Sequence, residues 1–132
     1  MIFSDRLFSK DILIFYYSML TLTPRELSSL LEKSPNTIEL IDVRGADEYE
    51  EVHISEALLI PLPMLPIRMS EIDKTKQVIF ICRSGARSAQ ACTFIEKDEV
   101  KAYNLSWGMI DFESAFPMKV VHGERKKLFR LF

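Results

Sequence analysis

Cysteine and histidine are scarce in this chain, which contains two of each among its 132 residues. Cys82 and Cys92 are separated along the sequence from each other and from both histidines, and this is not the ligand spacing of a metal site. Two cysteines in different settings also do not form the disulfide framework of a small secreted domain. We therefore expect a protein of the reducing cytoplasm, with no metal and no other cofactor.

An excess of one charge and a long apolar run are both absent. The 17 Lys and Arg residues and 19 Asp and Glu residues leave a formal net charge of −2, which gives no support for a nucleic-acid surface. The apolar stretch at residues 12–17 is far shorter than the about 20 residues that a membrane-spanning helix needs. It also lacks a small-residue cleavage site. We expect no nucleic-acid partner, no signal peptide and no membrane span.

The length of the chain suits a single domain with a core of its own. We place this domain at residues 21–122. Residues 1–20 are predicted to be an N-terminal extension, which either docks as a helix or lies upstream of a start at Met19. Residues 123–132 form a basic and apolar tail, which is either an amphipathic docking segment or a solvated terminus.

Helix and strand patterns alternate along the predicted domain. A helix is predicted after Thr23, which can form a capping box with Glu26, and residues 78–81 are a continuous apolar run typical of a central parallel strand. Further helical segments are expected at residues 46–51, 64–72, 88–97 and 108–115, and further extended segments at 38–41, 58–62 and 100–105. This alternation predicts an α/β fold with a central, mainly parallel sheet and helices on both faces.

The most informative segment is Cys-Arg-Ser-Gly-Ala-Arg at residues 82–87, between the strand predicted at 78–81 and the next helix. Backbone amides can converge on the sulfur at such a junction, and the positive end of the helix adds to the field. Both effects favour the thiolate of Cys82, which is the form of cysteine that attacks as a nucleophile. The alternative is a buried and inert thiol, which would not require two arginines, a serine and a glycine beside it.

Three arginines are candidates for binding an anionic donor. Arg87 closes the loop and is the first choice, and Arg83 is the second. Arg44 follows the end of the neighbouring predicted strand and is the third. For Arg44 we expect an ion pair with Asp42, or a role in bracing the loop, ahead of a contact with the donor.

Other polar residues near the loop have both a functional and a structural interpretation. Ser84 and Ser88 can donate hydroxyl hydrogen bonds or cap the helix, and we expect Ser88 to be the cap. Cys92 falls in the apolar pattern of the helix, so we expect it to pack in the core rather than to react. His53 is expected to be a structural hydrogen-bonding residue rather than a base.

With these motifs in place, the chain resembles a rhodanese domain, of the sulfurtransferase family, over roughly residues 22–121. Residues 82–88 resemble the Cys-Arg-Ser-Gly-x-Arg-Ser active loop of that family, which is the specific part of the match. The weaker matches are Ile41-Asp42-Val43-Arg44, Glu48-Tyr49, His53-Ile54, Ala57, Ile60-Pro61, Asn104-Leu105 and Gly108. The resemblance implies a persulfide on Cys82, with a cradle made by the backbone amides of Arg83, Ser84, Gly85, Ala86, Arg87 and Ser88.

Four positions depart from the pattern of that family. Val52 and Glu56 stand where glycines are usual around the histidine. Trp107 takes the first place of a Gly-Gly pair, and Phe112 stands where tryptophan is common. By the same resemblance these residues shape turns near the pocket rim, so they bear on substrate access and rate rather than on the nucleophile.

The resemblance implies transfer of sulfane sulfur from a small-molecule donor, such as thiosulfate, to a thiol or cyanide acceptor. A sulfur-relay protein is a further candidate partner, and a sulfur carrier or a non-catalytic partner-binding module is the alternative function. Phosphatases and arsenate reductases of the same fold resemble a Cys-x5-Arg pattern, in which the arginine lies one position later than Arg87 does here. The tighter loop suits a single sulfur atom better than a phosphoryl group.

Overall fold

The structure, a computed structural model, describes residues 20–123, so the predicted extension at residues 1–20, apart from Leu20, and the predicted tail at 123–132, apart from Gly123, lie outside the described residues. Its strands, numbered in chain order, are β1 Leu20–Leu22, β2 Ile38–Asp42, β3 Val52–Ile54, β4 Leu58–Leu59, β5 Gln77–Ile81, β6 Ala102–Leu105 and β7 Val120–His122. Its α-helices are α1 Pro24–Lys33, α2 Ala46–Glu51, α3 Leu65–Arg68, α4 Ala86–Glu96 and α5 Gly108–Ala115.

The central sheet has the strand order β1-β6-β5-β2-β4, and its pairings are parallel. Parallel neighbours need crossover connections, and helices supply most of them, which is the α/β arrangement predicted from the sequence. Because parallel strands point the same way, β2 and β5 end at one edge of the sheet, where Asp42 is in register with Ile81. Ligand sites of such sheets lie beyond this carboxyl edge.

Apolar cores cover both faces of the sheet, because alternate side chains of a strand point to opposite sides. In β5, Ile79 and Ile81 belong to the cluster that α1 and α5 complete, whereas Val78 and Phe80 belong to the cluster that α3 and α4 complete. All four side chains are fully buried. The prediction of helices on both faces is therefore confirmed, and β5 is the central strand that its apolar run indicated.

The first helix carries the capping box that the sequence predicted. The amide of Glu26 donates to Thr23 Oγ1 over 3.1 Å, and the amide of Thr23 donates to Glu26 Oε1 over 3.2 Å. These two bonds satisfy amides that have no partner within the helix. We expect Thr23→Ala to lower the free energy of unfolding by about 1 kcal/mol, measured by urea unfolding. The exposed Thr21 provides the control, and an equal loss in Thr21→Ala would contradict a capping effect.

Several predicted elements have other boundaries in the structure. The helix expected at residues 64–72 is an α-helix only at Leu65–Arg68 and continues as a 3-10 turn at Met69–Glu71. The helix expected at residues 88–97 begins earlier, at Ala86, and the strand expected at 100–105 begins at Ala102, after a turn in which Glu99 has a φ of 61°. The extended piece expected at residues 58–62 is a strand only at Leu58–Leu59. Prolines follow it along the chain, and they cannot donate to a strand partner.

Two properties of the described part of the chain bear on function. Among residues 20–123, no group of three or more His, Cys, Asp or Glu side chains is arranged to hold a metal ion. Within the same residues, no helix has the length and apolar character needed to cross a membrane.

Candidate active site

Cys82 directly follows the last residue of β5 and lies at the carboxyl edge of the sheet. It is buried, with 1% of its surface exposed. The amide of Val43, which follows β2, donates to the carbonyl of Ile81 over 2.9 Å and so continues the strand pairing up to the loop. The sheet thus fixes the position at which the loop begins.

The sulfur of Cys82 faces the amino-terminal end of α4. The amide of Gly85 donates to Sγ over 3.0 Å, and the hydroxyl oxygen of Ser88 lies 3.2 Å from Sγ. Burial raises the pKa of the Cys82 thiol, whereas hydrogen bonds donated to the sulfur lower it, from the Ser88 hydroxyl when it is the donor in that contact and from the amides of Ser88, Gly85 and Ser84. The lowering prevails. This direction agrees with the thiolate expected from the sequence.

The turn from the loop into α4 is made by Gly85. Its φ of 108° lies in the left-handed region, which glycine adopts without a steric penalty. The expectation that Ser88 caps the helix is therefore wrong, because the helix begins at Ala86 and Ser88 lies within its first turn. Ser88 is completely buried, and its hydroxyl oxygen is in contact with the Cys82 sulfur.

A second helix, α5, also directs its amino-terminal end at the loop. The amides of Met109 and Ile110 donate to the carbonyl oxygens of Cys82 and Arg83 over 2.9 and 3.2 Å. Gly108 permits this close approach, since a Cβ there would lie 2.2 Å from the Cys82 carbonyl oxygen and 2.6 Å from that of Arg83. The first carbonyl groups of the loop are thus bound by α5, while later amides of the loop bind the sulfur.

Arg44 forms the ion pair with Asp42 that was one of its expected roles. Its Nη2 lies 2.8 Å from Asp42 Oδ2 and also donates to the Val52 carbonyl over 2.6 Å. Both charged side chains are buried. These contacts join the end of β2 to β3, and none of them involves Cys82.

Arg87, the first choice for a donor contact, forms a bidentate ion pair with Glu48 of α2. The two nitrogen–oxygen distances are 2.7 and 2.8 Å, and the side chains are 37% and 36% exposed. The bonds from Arg87, helped by the amide of Gly45 and opposed by burial, lower the pKa of Glu48 to about 2. The sequence marked Glu48 only as part of an acidic helix, and no spacing indicated its partner in the loop.

Asn104 of β6 is a second residue of the site that the sequence left without a role. Its Nδ2 donates to the carbonyl of Gly85 over 3.0 Å, and its Oδ1 accepts from the hydroxyl of Ser88 over 2.5 Å. One buried amide thus binds both the turn before α4 and the first turn of α4. The resemblance of Asn104-Leu105 to a family segment was the signal that pointed to this position.

The outer face of the loop is formed by exposed residues. Arg83, Ser84 and Ala86 are all exposed, and within residues 20–123 Arg83 forms no ion pair. Trp107, just before α5, is 66% exposed, and Ile110, within α5, is 48% exposed. The exposed surface at the loop and the start of α5 therefore combines a cation with apolar side chains.

His53 and Cys92 have structural settings. His53 Nδ1 lies 2.7 Å from the carbonyl oxygen of Tyr49, and the two rings are stacked with their centroids 3.8 Å apart. Cys92 is fully buried in the apolar core, where burial raises the pKa of its thiol to about 12. These surroundings suit a stacked hydrogen-bonding ring and a packed, unreactive thiol.

A buried cysteine at the carboxyl edge of a parallel sheet, with loop amides and a helix start directed at its sulfur, defines an α/β protein with a thiol in a polar, hydrogen-bonded site. A family model described as the rhodanese-like domain matches residues 23–115. The chain belongs to the rhodanese-like domain family, as the motifs of its sequence indicated.

Three similar proteins show how far the likeness extends. A sulfurtransferase of Allochromatium vinosum is 43% identical over 72 residues, which are 54% of this chain and 67% of that protein. The putative sulfur carrier protein YrkF of Bacillus subtilis is 34% identical over 80 residues, which are 60% of this chain and 43% of that protein. The crystal structure of a rhodanese-like domain protein from Staphylococcus aureus matches with a TM-score of 0.67 and 29% identity, covering 71% of this chain and 91% of that one.

Proposed function

We propose that this protein is a sulfurtransferase that carries sulfane sulfur as a persulfide on Cys82. The observation that supports this most directly is the position of the Cys82 sulfur, 3.0 Å from the amide of Gly85 at the start of α4. Amides that stabilise a thiolate can equally stabilise the terminal sulfur anion of a persulfide. Membership of the rhodanese-like family and the likeness to a protein named a sulfurtransferase point the same way.

The proposed reaction has two displacement steps. In the first, the Cys82 thiolate attacks the outer sulfur of thiosulfate, the sulfur–sulfur bond of the donor breaks, and sulfite leaves with the electron pair. The negative charge then lies on the terminal sulfur of the persulfide. In the second step, a thiolate or cyanide attacks that sulfur, and Cys82 leaves as the restored thiolate. No proton, metal or redox cofactor takes part in either displacement.

Mass spectrometry of the intact protein after exposure to thiosulfate tests this proposal. We expect a mass gain of one sulfur atom, which cyanide removes as thiocyanate. Initial rates at varied thiosulfate and cyanide concentrations are expected to follow ping-pong kinetics. An unchanged mass after exposure to thiosulfate and to a second sulfane donor, glutathione persulfide, would contradict the proposal.

We assign the contact with an anionic donor to Arg83 rather than to Arg87, because Arg83 is exposed on the loop next to Cys82 while Arg87 is bound to Glu48. Arg83→Ala is expected to raise KM for thiosulfate about tenfold with little change in kcat, since it removes a charge that attracts the dianion. Lys101→Ala removes an exposed charge just before β6, at the opposite edge of the sheet, and serves as the control. An unchanged KM in Arg83→Ala would contradict this assignment.

A sulfur carrier that delivers sulfur to a partner protein is the second candidate. The exposed apolar side chains of Trp107 and Ile110 beside the loop favour it, and the chain is similar to a putative sulfur carrier protein. A carrier would gain one sulfur atom on Cys82 and yet turn over slowly with free cyanide. Comparison of the loading and turnover rates therefore separates the two candidates.

Phosphoryl transfer is less well supported by the site. The loop is one residue shorter than the Cys-x5-Arg pattern, and its arginine is engaged by Glu48. Hydrolysis of an aryl phosphate without any sulfur transfer would favour phosphoryl transfer over sulfur transfer as the function.

A further inference from the structure

The orientation of the Asn104 side-chain amide is fixed by its hydrogen-bond partners. The carbonyl oxygen of Gly85 can only accept, so the Asn104 atom 3.0 Å from it must be the Nδ2 donor. The Oδ1 atom then faces the hydroxyl oxygen of Ser88 over 2.5 Å, and an amide oxygen has no proton to donate. Ser88 must therefore be the donor in this hydrogen bond.

The single proton of the Ser88 hydroxyl is thus directed at Asn104. Ser88 is completely buried, so bulk water does not compete for this proton. Ser88 can then present only a lone pair to the Cys82 sulfur, 3.2 Å away. The contact is favourable when the thiol donates to Ser88, and it is unfavourable when the sulfur is a thiolate.

We infer that Asn104 is a positioning residue that directs the Ser88 hydroxyl away from Cys82 and thereby opposes formation of the free thiolate. The inference rests on the proposed role of Cys82 as the sulfur-carrying nucleophile. The backbone amides at the sulfur act in the opposite direction. The amides stabilise negative charge on the sulfur. The Asn104–Ser88 pair lowers the fraction of the sulfur-free protein in which Cys82 is a thiolate.

The same arrangement favours the sulfur-loaded protein. When the persulfide forms, the negative charge moves to the terminal sulfur and Sγ becomes neutral. The lone pair of Ser88 then no longer faces an anion, so loading relieves the repulsion that the free thiolate experiences. Asn104 therefore shifts the equilibrium between thiolate and persulfide toward the persulfide.

The charged groups around the loop act separately from this hydroxyl. The charged or titratable groups of the loop and the surrounding elements include Arg83 of the loop, Arg87 and Cys92 of α4, Glu48 of α2, Asp42 and Arg44 at the end of β2, and the exposed Asp111 of α5. Arg87 interacts electrostatically with Cys82 and is paired with Glu48. Neutral substitutions at Ser88 and Asn104 leave all of these charges in place.

The pKa of Cys82 in Ser88→Ala tests the inference. The variant is made in a Cys92→Ala background, so that Cys82 is the sole thiol, and the pKa is read from the pH dependence of alkylation by iodoacetamide. We expect this pKa to be lowered, because the substitution removes the lone pair that faces the thiolate, and an unchanged pKa would overturn the inference. A rise of about 1, with roughly tenfold slower alkylation below the pKa, would mean that Ser88 donates to the thiolate and would overturn the inference.

Asn104→Ala gives a second readout of the same network. The released Ser88 hydroxyl can turn and donate to the thiolate, so we expect the pKa of Cys82 to fall by about 1 and alkylation at a fixed low pH to become roughly tenfold faster. In the Ser88→Ala background, the same substitution is expected to leave the pKa unchanged. An equal shift in both backgrounds would show that Asn104 acts only through the loop structure, and it would overturn the inference.

These measurements are independent of sulfur transfer, because alkylation needs no sulfur donor. A protein that takes up no sulfur can still show the predicted pKa pattern, and a working sulfurtransferase can fail to show it. Circular dichroism establishes that each variant is folded. If Asn104→Ala does not fold, the direction of the pKa change in Ser88→Ala decides the question alone.

Discussion

Cys82→Ser is expected to abolish sulfur uptake from thiosulfate and to reduce turnover by roughly four orders of magnitude or more. A serine hydroxyl is not ionised at neutral pH, so the amides of Gly85 and Ser88 would surround a neutral oxygen without converting it into a nucleophile. The smaller oxygen fits a site that already holds sulfur, and it can accept the same amide hydrogen bonds. The fold is therefore retained while the chemistry is lost, and the mass of the thiosulfate-treated variant measures this directly.

Cys92→Ala is the matched control for that experiment. Cys92 is the other cysteine of the chain, and it is buried with its pKa raised to about 12. We expect this variant to gain one sulfur atom as the unmodified protein does. Sulfur uptake that persists in Cys82→Ser and disappears in Cys92→Ala would place the persulfide on Cys92 instead of Cys82 and refute the proposed mechanism.

Gly108→Ala is expected to lower the free energy of unfolding by about 3 kcal/mol or more and to disrupt the Cys82 loop. The added Cβ would lie 2.2 Å from the carbonyl oxygen of Cys82, which is backbone and cannot rotate aside. The φ of 54° at Gly108 adds strain for any residue with a side chain. To relieve the overlap, α5 must withdraw, and the amide bonds from Met109 and Ile110 to the loop are then lost.

Urea unfolding and the alkylation rate of Cys82 together measure this effect. Gly45→Ala is the matched control, because Gly45 has a φ of −71° and its added Cβ would meet Glu48 Oε2 at 3.5 Å, an ordinary contact. We expect the control to change the free energy of unfolding by less than about 0.5 kcal/mol. Equal stability of the two variants would contradict the role assigned to the contact between α5 and the loop.

The central strand and its loop could be predicted from the sequence because their signals are local. Residues 78–81 form one apolar run, and β5 is indeed buried on both faces. Thr23 and Glu26 have the spacing of a capping box and form both of its bonds. The succession of strand, Cys82 and helix involves consecutive residues only, so it could be predicted without knowledge of the tertiary structure.

The side-chain contacts that hold the residues of the Cys82 loop in place could not be predicted, since they join residues far apart in the chain. Arg87 and Glu48 are 39 residues apart, and Ser88 and Asn104 are 16 residues apart, and no helical or strand spacing relates such pairs. Serine is a preferred cap, which is why the sequence favours Ser88 at the helix start although Gly85 makes the turn. The antiparallel strands β3 and β7 have three residues each, too few for a pattern of alternation.

The bonds from Met109 and Ile110 also determine when the site can form during synthesis. A ribosome makes the chain from its amino end, so the Cys82 loop emerges before residues 108–115. Until α5 has folded against the loop, the carbonyl groups of Cys82 and Arg83 lack these two partners. A nascent chain that already contains Cys82 therefore does not yet hold the completed loop. The full set of hydrogen bonds to the loop forms only when almost the whole domain has been made.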